Sequence, residues 1–432
     1  MYQEEYKRKL KSMEEIASQI QSGFVCATGT TLSMPVGLTE AIAKHILKND
    51  LHGVTHHQIL GIQPTSILSP ELKGRYTFVS WFSGAPARKG VQAGLADVMP
   101  NYYRDIPGMW REFFRPDVFY ATVSPMDKHG WFSFGCTGAE VMAQYENARY
   151  IFLEVNPNMP RTFGSQHIHI SKVDALCENN VPMAELPPVE IDEVSQTIGN
   201  LITEEIPDGG VIQLGVGAVP NAVGNALMSK KNLGIHTELF TDSMVDLVES
   251  GAVTNYSKQI HKGKSVCVFA MGSKKLYDFV DDNPGVEFHS VDYINDPAVI
   301  CQNDRAISIN SALEVDFYGQ VCAESIGSKH FSGTGGQVDY VRGSTQSKGG
   351  KSFIAFPSTA KNDSISKIKP ALTPGAIVST SKNDVDRVVT EYGIAMLRGK
   401  TLSQRTKELI RIAHPKFRDE LLFEAKKMNI II

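Results

Sequence analysis

The sequence lacks any uninterrupted apolar run long enough to cross a lipid bilayer, which excludes an ordinary membrane-spanning helix. It has no strongly basic block and a formal net charge of -4, so nucleic acid is not an expected partner. Cysteine is sparse, with six residues scattered and no C-x-x-C pair. That pattern is typical of buried thiols in a reducing compartment. The charged helical pattern at the N-terminus does not read as a signal peptide, and we therefore expect a cytoplasmic protein.

Helix-like segments alternate with short apolar runs along the chain. Residues 9–22 and 37–49 have helical patterns, and each precedes a strand-like run, at 24–28 and 54–61. This alternation predicts an α/β fold with mostly parallel sheets. The length of 432 residues exceeds what one ordinary core accommodates, so we expect two domains.

The clearest boundary signal is the pair Pro187 and Pro188, because consecutive prolines disfavour helix and suit an extended linker. A new helical pattern follows at 191–202. We therefore predict an N-terminal domain over residues 1–186 and a C-terminal domain over residues 187–432.

An internal similarity indicates that the two halves are related. Residues 117–130 and 306–319 each combine an apolar strand, an acidic residue and a glycine turn in the same order. This repetition favours a duplicated architecture.

The carboxylate of Glu238 has an unusual setting, at the end of an apolar run and just before a helical pattern. Its neighbours Ile235, Leu239 and Phe240 make partial burial plausible. Burial raises the pKa of a carboxyl and strips solvent from the anion, which makes it a better nucleophile. The alternative is a solvated surface glutamate. His236 lies on the same face of a strand and either tunes Glu238 or only fills space.

A glycine turn, Gly215-Val-Gly-Ala-Val219, lies about twenty residues upstream of Glu238. It allows backbone amides to approach a ligand closely, and so predicts a backbone-amide cradle for a ligand. One alternative is a plain tight turn. Another is a dinucleotide site, but Pro220 stands where the third glycine of that fingerprint is required.

A second glycine-rich stretch covers residues 331–343. Four glycines in this span favour a loop over regular secondary structure. Such a loop can aim successive amides at an oxyanion.

These segments occur in order with further motifs at 123–130, 154–160, 390–393 and 412–415. Together they resemble the acetyl-CoA hydrolase/transferase family, in the branch with 4-hydroxybutyrate CoA-transferase and butyryl-CoA:acetate CoA-transferase. The resemblance implies two similar CoA-transferase-type domains with mostly parallel open sheets and an active site at their interface.

The resemblance also implies roles for particular residues. Glu238 matches the family nucleophile, which carries CoA as a covalent glutamyl thioester, and Asn295 and Gly336 match catalytic residues at the reacting carbonyl. Coenzyme A is a substrate, and no metal or other cofactor is implied. The positions matching CoA contacts are Gln213, Gly215, Val216, Gly217, Ala218, Val219, Ser332, Gly336 and Lys361.

The expected function is therefore a cytoplasmic, fermentative acyl-CoA:carboxylate CoA-transferase with a ping-pong mechanism. Acetate is the expected acid on one side, with 4-hydroxybutyrate or butyrate on the other, and a homo-oligomer, a dimer or higher, is expected. Cys322 stands where butyryl-CoA:acetate transferases have asparagine, which leaves the acid open. The alternatives are an acyl-CoA hydrolase with the same nucleophile, a nucleotide-binding oxidoreductase, and a non-catalytic CoA-binding protein.

Other residues carry two interpretations each. His167 and His169 share a strand face, which suits a metal, but a third ligand is not evident and structural histidines are the favoured interpretation. Trp81, Phe82 and Arg88 line a small pocket for the acyl group, bind a carboxylate, or belong to an ordinary core.

Overall fold

The computed structural model describes residues 2–187 and 189–431. They form two compact units. Unit 1 consists of residues 2–187, 240–242 and 266–294, and unit 2 of residues 189–239, 243–265 and 295–431. Pro188, the second proline of the predicted linker, lies outside the described residues. The sequence-based division into residues 1–186 and 187–432 stays a prediction.

The strands are numbered in chain order. In the first half they are β1 (Val25–Thr28), β2 (Val54–Ile59), β3 (Tyr76–Phe82), β4 (Ala96–Val98), β5 (Val118–Val123), β6 (Trp131–Ser133), β7 (Tyr150–Val155), β8 (Phe163–Gly164), β9 (His167–His169) and β10 (Ala175–Glu178). In the second half they are β11 (Val211–Leu214), β12 (Gly234–Phe240), β13 (Ser265–Ala270), β14 (Val286–Phe288), β15 (Ala306–Asn310), β16 (Glu314–Asp316), β17 (Val321–Cys322), β18 (Ser325–Ile326), β19 (Lys329–His330), β20 (Lys351–Ala355), β21 (Thr359–Ala360), β22 (Ile365–Ser366), β23 (Ile368–Lys369), β24 (Arg387–Thr390) and β25 (Gly393–Met396).

The helices are likewise numbered in chain order. They are α1 (Tyr2–Lys9), α2 (Met13–Ala17), α3 (Val36–Lys48), α4 (Ala85–Gln92), α5 (Ile106–Phe113), α6 (Val141–Glu146), α7 (Glu193–Glu205), α8 (Ala218–Ala226), α9 (Asp242–Glu249), α10 (Lys274–Val280), α11 (Val291–Ile294), α12 (Pro297–Ile300), α13 (Gln337–Gln346), α14 (Leu402–Ile412) and α15 (Pro415–Lys427). Within the described part of the chain, no helix has the length and hydrophobicity that crossing a bilayer requires.

Unit 1 is built on a parallel sheet with the strand order β10-β7-β5-β1-β2-β3-β4. Every residue of β5 is buried, as expected for a central strand covered on both faces. Helix α3 packs Leu38, Ile42 and Ile46 into the apolar core of this unit. The sheet therefore holds the ends of its central strands in fixed positions.

Unit 2 repeats this plan with the strand order β25-β24-β20-β15-β11-β12. The pairs from β24 to β12 are parallel, and only the β24–β25 pair is antiparallel. The predicted α/β class with mainly parallel sheets is confirmed.

The similarity between the two halves extends to hydrogen bonds. In unit 1, Asp127 Oδ1 accepts from the amides of His129 and Trp131, two and four residues later. In unit 2, Asp316 Oδ1 accepts from the amides of Tyr318 and Gln320, at the same spacing. Gly130 and Gly319 both have positive φ, +86° and +85°. Two turns with the same bonds after equivalent central strands support the predicted duplication.

One helix prediction is wrong. The single helix expected over residues 9–22 is replaced by α1 and the short α2. The side chain of Ser12 accepts a hydrogen bond from the amide of Glu15, whose carboxylate accepts one from the amide of Ser12. This capping box starts a new helix at Met13 and therefore breaks the continuous pattern. The helix expected over 37–49 and the strands expected over 24–28 and 54–61 are present, with shifted ends.

Candidate active site

The candidate site lies at the carboxyl ends of the parallel strands of unit 2. Strands β20, β15, β11 and β12 are neighbours in this order. The glycine turn follows β11, Glu238 lies near the end of β12, and the segment leading to Lys361 follows β20. Parallel strands bring the residues that follow them to one edge of the sheet, where α/β proteins bind ligands. Three segments predicted to contact CoA or its acyl group thus leave the same edge.

Glu238 is held by two hydrogen-bond donors. Asn295 Nδ2 donates to Glu238 Oε2 at 2.8 Å, and the backbone amide of Gly336 donates to the same carboxylate. Asn295 itself is fully buried, between α11 and α12. The three residues predicted to be catalytic therefore meet in unit 2.

Burial raises the pKa of the Glu238 carboxyl to about 7, although the hydrogen bonds from Asn295 and Gly336 act to lower it. Removing water from a carboxylate disfavours its charged form, and this effect is the larger one here. A carboxylate with a pKa near neutrality ionises at physiological pH while remaining poorly solvated. This combination suits a nucleophile that attacks a carbonyl carbon.

Position 336 requires glycine because there is no space for a side chain. A Cβ atom built on Gly336 would fall far inside the van der Waals distance of Glu238 Oε2 and Asn295 Nδ2. Its φ of -94° is accessible to any residue, so the backbone conformation does not demand glycine. The close approach of the carboxylate to the start of α13 is what excludes a side chain here.

Helix α13 is fixed by residues for which the sequence analysis assigned no role. Gln337 Nε2 donates to the carbonyl of Ser311 at 2.7 Å, and Gln337 Oε1 accepts from Thr380 Oγ1 at 2.8 Å. These bonds anchor the first residue of α13 and so position the amide of Gly336 beside it. A glutamine directly after a glycine-rich loop is a weak signal, and only the long-range partners reveal its role.

The first glycine turn joins β11 to α8. Gln213 is buried, and its Oε1 accepts from Asn310 Nδ2 at 3.3 Å. Gly217 has a φ of +127° and open space around a built Cβ, so its backbone conformation is the reason for glycine. Val216 is 54% exposed, whereas Val219 is buried in α8. This exposed turn precedes the nine-residue helix α8. The backbone amides at the start of α8 are therefore open to a ligand.

Ser332 and Lys361 lie in the two remaining loops. Ser332 is buried, and its Oγ donates to the carbonyl of Gly333 at 3.2 Å. Lys361 is exposed at the tip of the β21–β22 hairpin, where it and the next two residues all have positive φ. The exposed Lys361 is therefore available to an anionic ligand.

Another residue without a predicted role, Glu391, supports the Lys361 segment. Its carboxylate accepts from the amide of Ser358 at 2.9 Å and from Ser358 Oγ at 2.5 Å. Glu391 belongs to the 390–393 motif that carried the family resemblance. Its contact across 33 residues could not be read from the sequence.

Several other candidates belong to the framework. Trp81 is buried in unit 1, donates through Nε1 to His57 Nδ1 at 3.0 Å and stacks on Trp110 at 5.5 Å between ring centroids. His167 and His169 hydrogen-bond to Thr162 O and Ser171 Oγ, both at 2.9 Å. These contacts agree with the structural interpretation of each residue.

In unit 2, His236 and Cys322 are also buried. His236 Nδ1 lies 3.5 Å from Asn303 Nδ2, and Cys322 Sγ lies 3.2 Å from the carbonyl of Ser325. Both side chains thus have neighbours within the framework of unit 2.

Comparisons with known proteins show the family to which the chain is related. Models of the acetyl-CoA hydrolase/transferase N-terminal and C-terminal domains match residues 1–187 and 272–425. The chain is 46% identical to succinyl-CoA:cyclohexane-1-carboxylate CoA transferase of Geobacter metallireducens, with 100% of this chain and 98% of the relative covered. It is 44% identical to 4-hydroxybutyrate coenzyme A transferase of Clostridium kluyveri, with 99% of each covered.

A solved structure has the same fold as this chain over its whole length. The crystal structure of RipA from Yersinia pestis matches with a TM-score of 0.96 and 37% identity, covering 100% of both chains. Identity at this level over whole chains confirms the predicted enzyme class, a CoA-transferase. The chain therefore belongs to the acetyl-CoA hydrolase/transferase family.

Proposed function

We propose that the enzyme transfers CoA between an acyl-CoA and a short carboxylic acid through a glutamyl-CoA thioester on Glu238. The observation that carries the proposal is the Glu238 carboxylate, desolvated yet held by Asn295 Nδ2 and the Gly336 amide. Donors aimed at a carboxylate also suit the oxyanion that forms when that carboxylate becomes an acyl group.

The chemistry proceeds by exchange of acyl and thiolate groups. Glu238 attacks the thioester carbonyl of the acyl-CoA, and CoA thiolate leaves as an acyl-glutamyl anhydride forms. The thiolate then attacks the glutamyl carbonyl, releasing the first acid and leaving CoA on Glu238 as a thioester. The second acid reverses these steps and departs as its CoA ester. The cycle uses CoA as a substrate and requires no redox cofactor, because no step changes an oxidation state. In this proposal the donors of Asn295 and Gly336, and not a metal, stabilise the oxyanion.

The remaining predicted contacts support binding of the CoA arm. Residues Gly215, Val216, Gly217, Ala218 and Val219 offer amides at the carboxyl end of β11. Ser332 precedes the loop that supplies the Gly336 amide, and Gln213 supports the turn through Asn310. Lys361 would pair with the phosphates at the nucleotide end of CoA.

The acid substrate is part of the proposal. The relatives are named for different acids, cyclohexane-1-carboxylate in one and 4-hydroxybutyrate in the other. We propose 4-hydroxybutyrate or butyrate, exchanged with acetate. A cytoplasmic location and a homo-oligomeric state belong to the same proposal, and the five buried cysteines accord with that location.

A CoA-exchange experiment tests the proposal. The enzyme is incubated with acetyl-CoA and one acid at a time, and every acyl-CoA is followed by liquid chromatography and mass spectrometry. We expect total thioester to remain constant while the new acyl-CoA appears, with parallel double-reciprocal lines when both substrates are varied. Loss of thioester that ignores added acid would identify a hydrolase, and intersecting lines would indicate a ternary complex.

A further inference from the structure

The loop that supplies the Gly336 amide begins at a short hairpin of unit 2. Strands β18 and β19 of this hairpin pair antiparallel, and Glu324 directly precedes β18. The carbonyl of Glu324 accepts from the amides of Phe331 and Ser332, at 2.9 and 3.3 Å. These bonds close the hairpin and fix the point at which the glycine-rich loop starts.

The side chain of Glu324 meets the same loop at a second point. Glu324 is buried, and Thr334 Oγ1 donates to its carboxylate at 3.3 Å from each oxygen. Thr334 lies two residues before Gly336. Glu324 therefore holds the loop at its start through a backbone carbonyl and near its end through a carboxylate.

The loop between these two points has few means of its own to keep one shape. Gly333 and Gly335 carry no side chain that could pack, and Gly335 has a φ of +62°. Glycine loses more conformational freedom on folding than other residues, so an ordered glycine loop depends on contacts from outside. A buried carboxylate that accepts from a hydroxyl of the loop supplies such a contact.

The shape of the loop matters because the Gly336 amide donates to Glu238. On the far side of Gly336, the bonds of Gln337 to Ser311 and Thr380 already anchor the start of α13. Glu324 supplies the corresponding anchor on the near side. If that anchor were lost, the amide would be displaced from the carboxylate and would stabilise its anion less.

We propose that Glu324 is a positioning residue, which holds Thr334 and so aims the Gly336 amide at Glu238 and at the oxyanion formed there. This inference rests on the proposed CoA-transferase function and names a residue that supports it from outside the reacting groups. Glu324 acts in this account as a hydrogen-bond acceptor, and its charge is not required.

The test follows kcat/KM for the acyl-CoA across pH. Thr334→Val removes the hydroxyl that Glu324 accepts while keeping the shape of the side chain. The plateau rate should fall about fivefold, the size expected for one hydrogen bond. The midpoint should move to higher pH, because the Gly336 donor lowers the pKa of Glu238. Thr334→Ser, which keeps the hydroxyl, should restore most of the rate and the midpoint.

Variants of Glu324 test the other side of the same bond. Glu324→Leu should shift the profile in the same direction as Thr334→Val. Glu324→Gln retains an oxygen that accepts and should lie closer to the wild type. The double variant Glu324→Leu with Thr334→Val should be no slower than Glu324→Leu alone, because both changes remove one interaction.

A matched control comes from another buried threonine of unit 2. Thr203 Oγ1 in α7 donates to the carbonyl of Gly199 at 2.8 Å. Thr203→Val makes the same chemical change as Thr334→Val, and it should leave both the plateau and the midpoint unchanged.

Hydrogen–deuterium exchange tests the inference without any substrate. The Gly336 amide is protected by its bond to Glu238, so a displaced loop exposes it to solvent. Peptides that cover residues 333–336 should exchange faster in Thr334→Val than in the wild type and in Thr203→Val.

The outcomes separate the two proposals. If an active Thr334→Val enzyme kept the midpoint and the exchange rate of the wild type, the inference alone would be wrong. A lower rate with an unchanged midpoint, or additive losses in the double variant, would also overturn it. If the wild type transferred CoA to none of the acids tested, the proposed function would fail, and the exchange measurement would still decide whether Thr334 positions the Gly336 amide.

Discussion

At the scale of single residues, the ionisation of Glu238 should control the rate of its acylation. Because burial raises its pKa to about 7, the nucleophilic anion is scarce in acid and predominates above neutrality. We expect kcat/KM for the acyl-CoA to rise with pH, with a midpoint near 7, and to level off above pH 8. Stopped-flow measurement of CoA-ester consumption across this range provides the profile.

The Asn295 hydrogen bond lowers that pKa, so its removal should shift the profile. Asn295→Ala should move the midpoint to higher pH and also reduce the plateau rate. Asn283→Ala removes a partly buried amide that bonds to Phe279 O in unit 1, and serves as the control. If the midpoint of the pH profile were unchanged in Asn295→Ala, a group other than Glu238 would control the rate.

The same raised pKa predicts a cost in stability. Native Glu238 binds a proton more tightly than the unfolded chain does, so its contribution to folding stability falls as pH rises from about 4.5 to 7. Glu238→Gln should therefore stabilise the protein at pH 8, on the order of 3 kcal/mol, with no gain below pH 4.5. Urea unfolding of both proteins at pH 8 and at pH 4 measures the difference. A variant that is less stable at pH 8 would contradict the account.

At the scale of elements, the start of α13 must approach the carboxylate closely. Gly336→Ala inserts a Cβ into the space held by Glu238 and Asn295, which should separate the amide from its acceptor. Loss of one such donor typically costs about 3 kcal/mol, so we expect turnover to fall about a hundredfold. Gly108→Ala, in α5 with open space around its Cβ, should leave turnover unchanged. If Gly336→Ala kept the turnover of the wild type, the loop would have only a structural role.

The β21–β22 hairpin should contribute binding energy distant from the reaction. Lys361→Gln should raise KM for acyl-CoA several-fold with little change in kcat, because the contact is the same in ground and transition states. With an acyl-pantetheine, which lacks the nucleotide, the variant should have the same KM as the wild type. Lys382→Gln, another exposed lysine of unit 2, is the control. If Lys361→Gln raised KM equally for acyl-CoA and acyl-pantetheine, Lys361 would not act through the nucleotide of CoA.

At the scale of the whole molecule, the sequence predicted the architecture from its alternation of patterns and its repeated strand-acid-glycine segments. Glu238 could be singled out because an acid within an apolar strand end is unusual. Its contact with Asn295 spans 57 residues, and local patterns carry no information about such a pairing. Only the family resemblance pointed to it.

The pair Thr30 and Glu140 of unit 1 illustrates what remained beyond sequence reasoning. Both look like ordinary polar residues along the chain, and the hydrogen bond between them exists only in the folded unit. Ser12 and Glu15 are a different case, because their capping box is local but competed with a continuous helical pattern in the sequence. Tertiary partners and competing caps therefore account for most of what the sequence did not disclose.

The measurement that tests the central claim most directly is peptide mass spectrometry of enzyme incubated with acyl-CoA alone and quenched rapidly. The account predicts a CoA adduct on the peptide containing Glu238, absent in Glu238→Gln and retained in Glu204→Gln, which alters an exposed acid of α7. Addition of acetate before quenching should discharge the adduct. An active enzyme with its adduct on another residue, or with none at any quench time, would contradict the account.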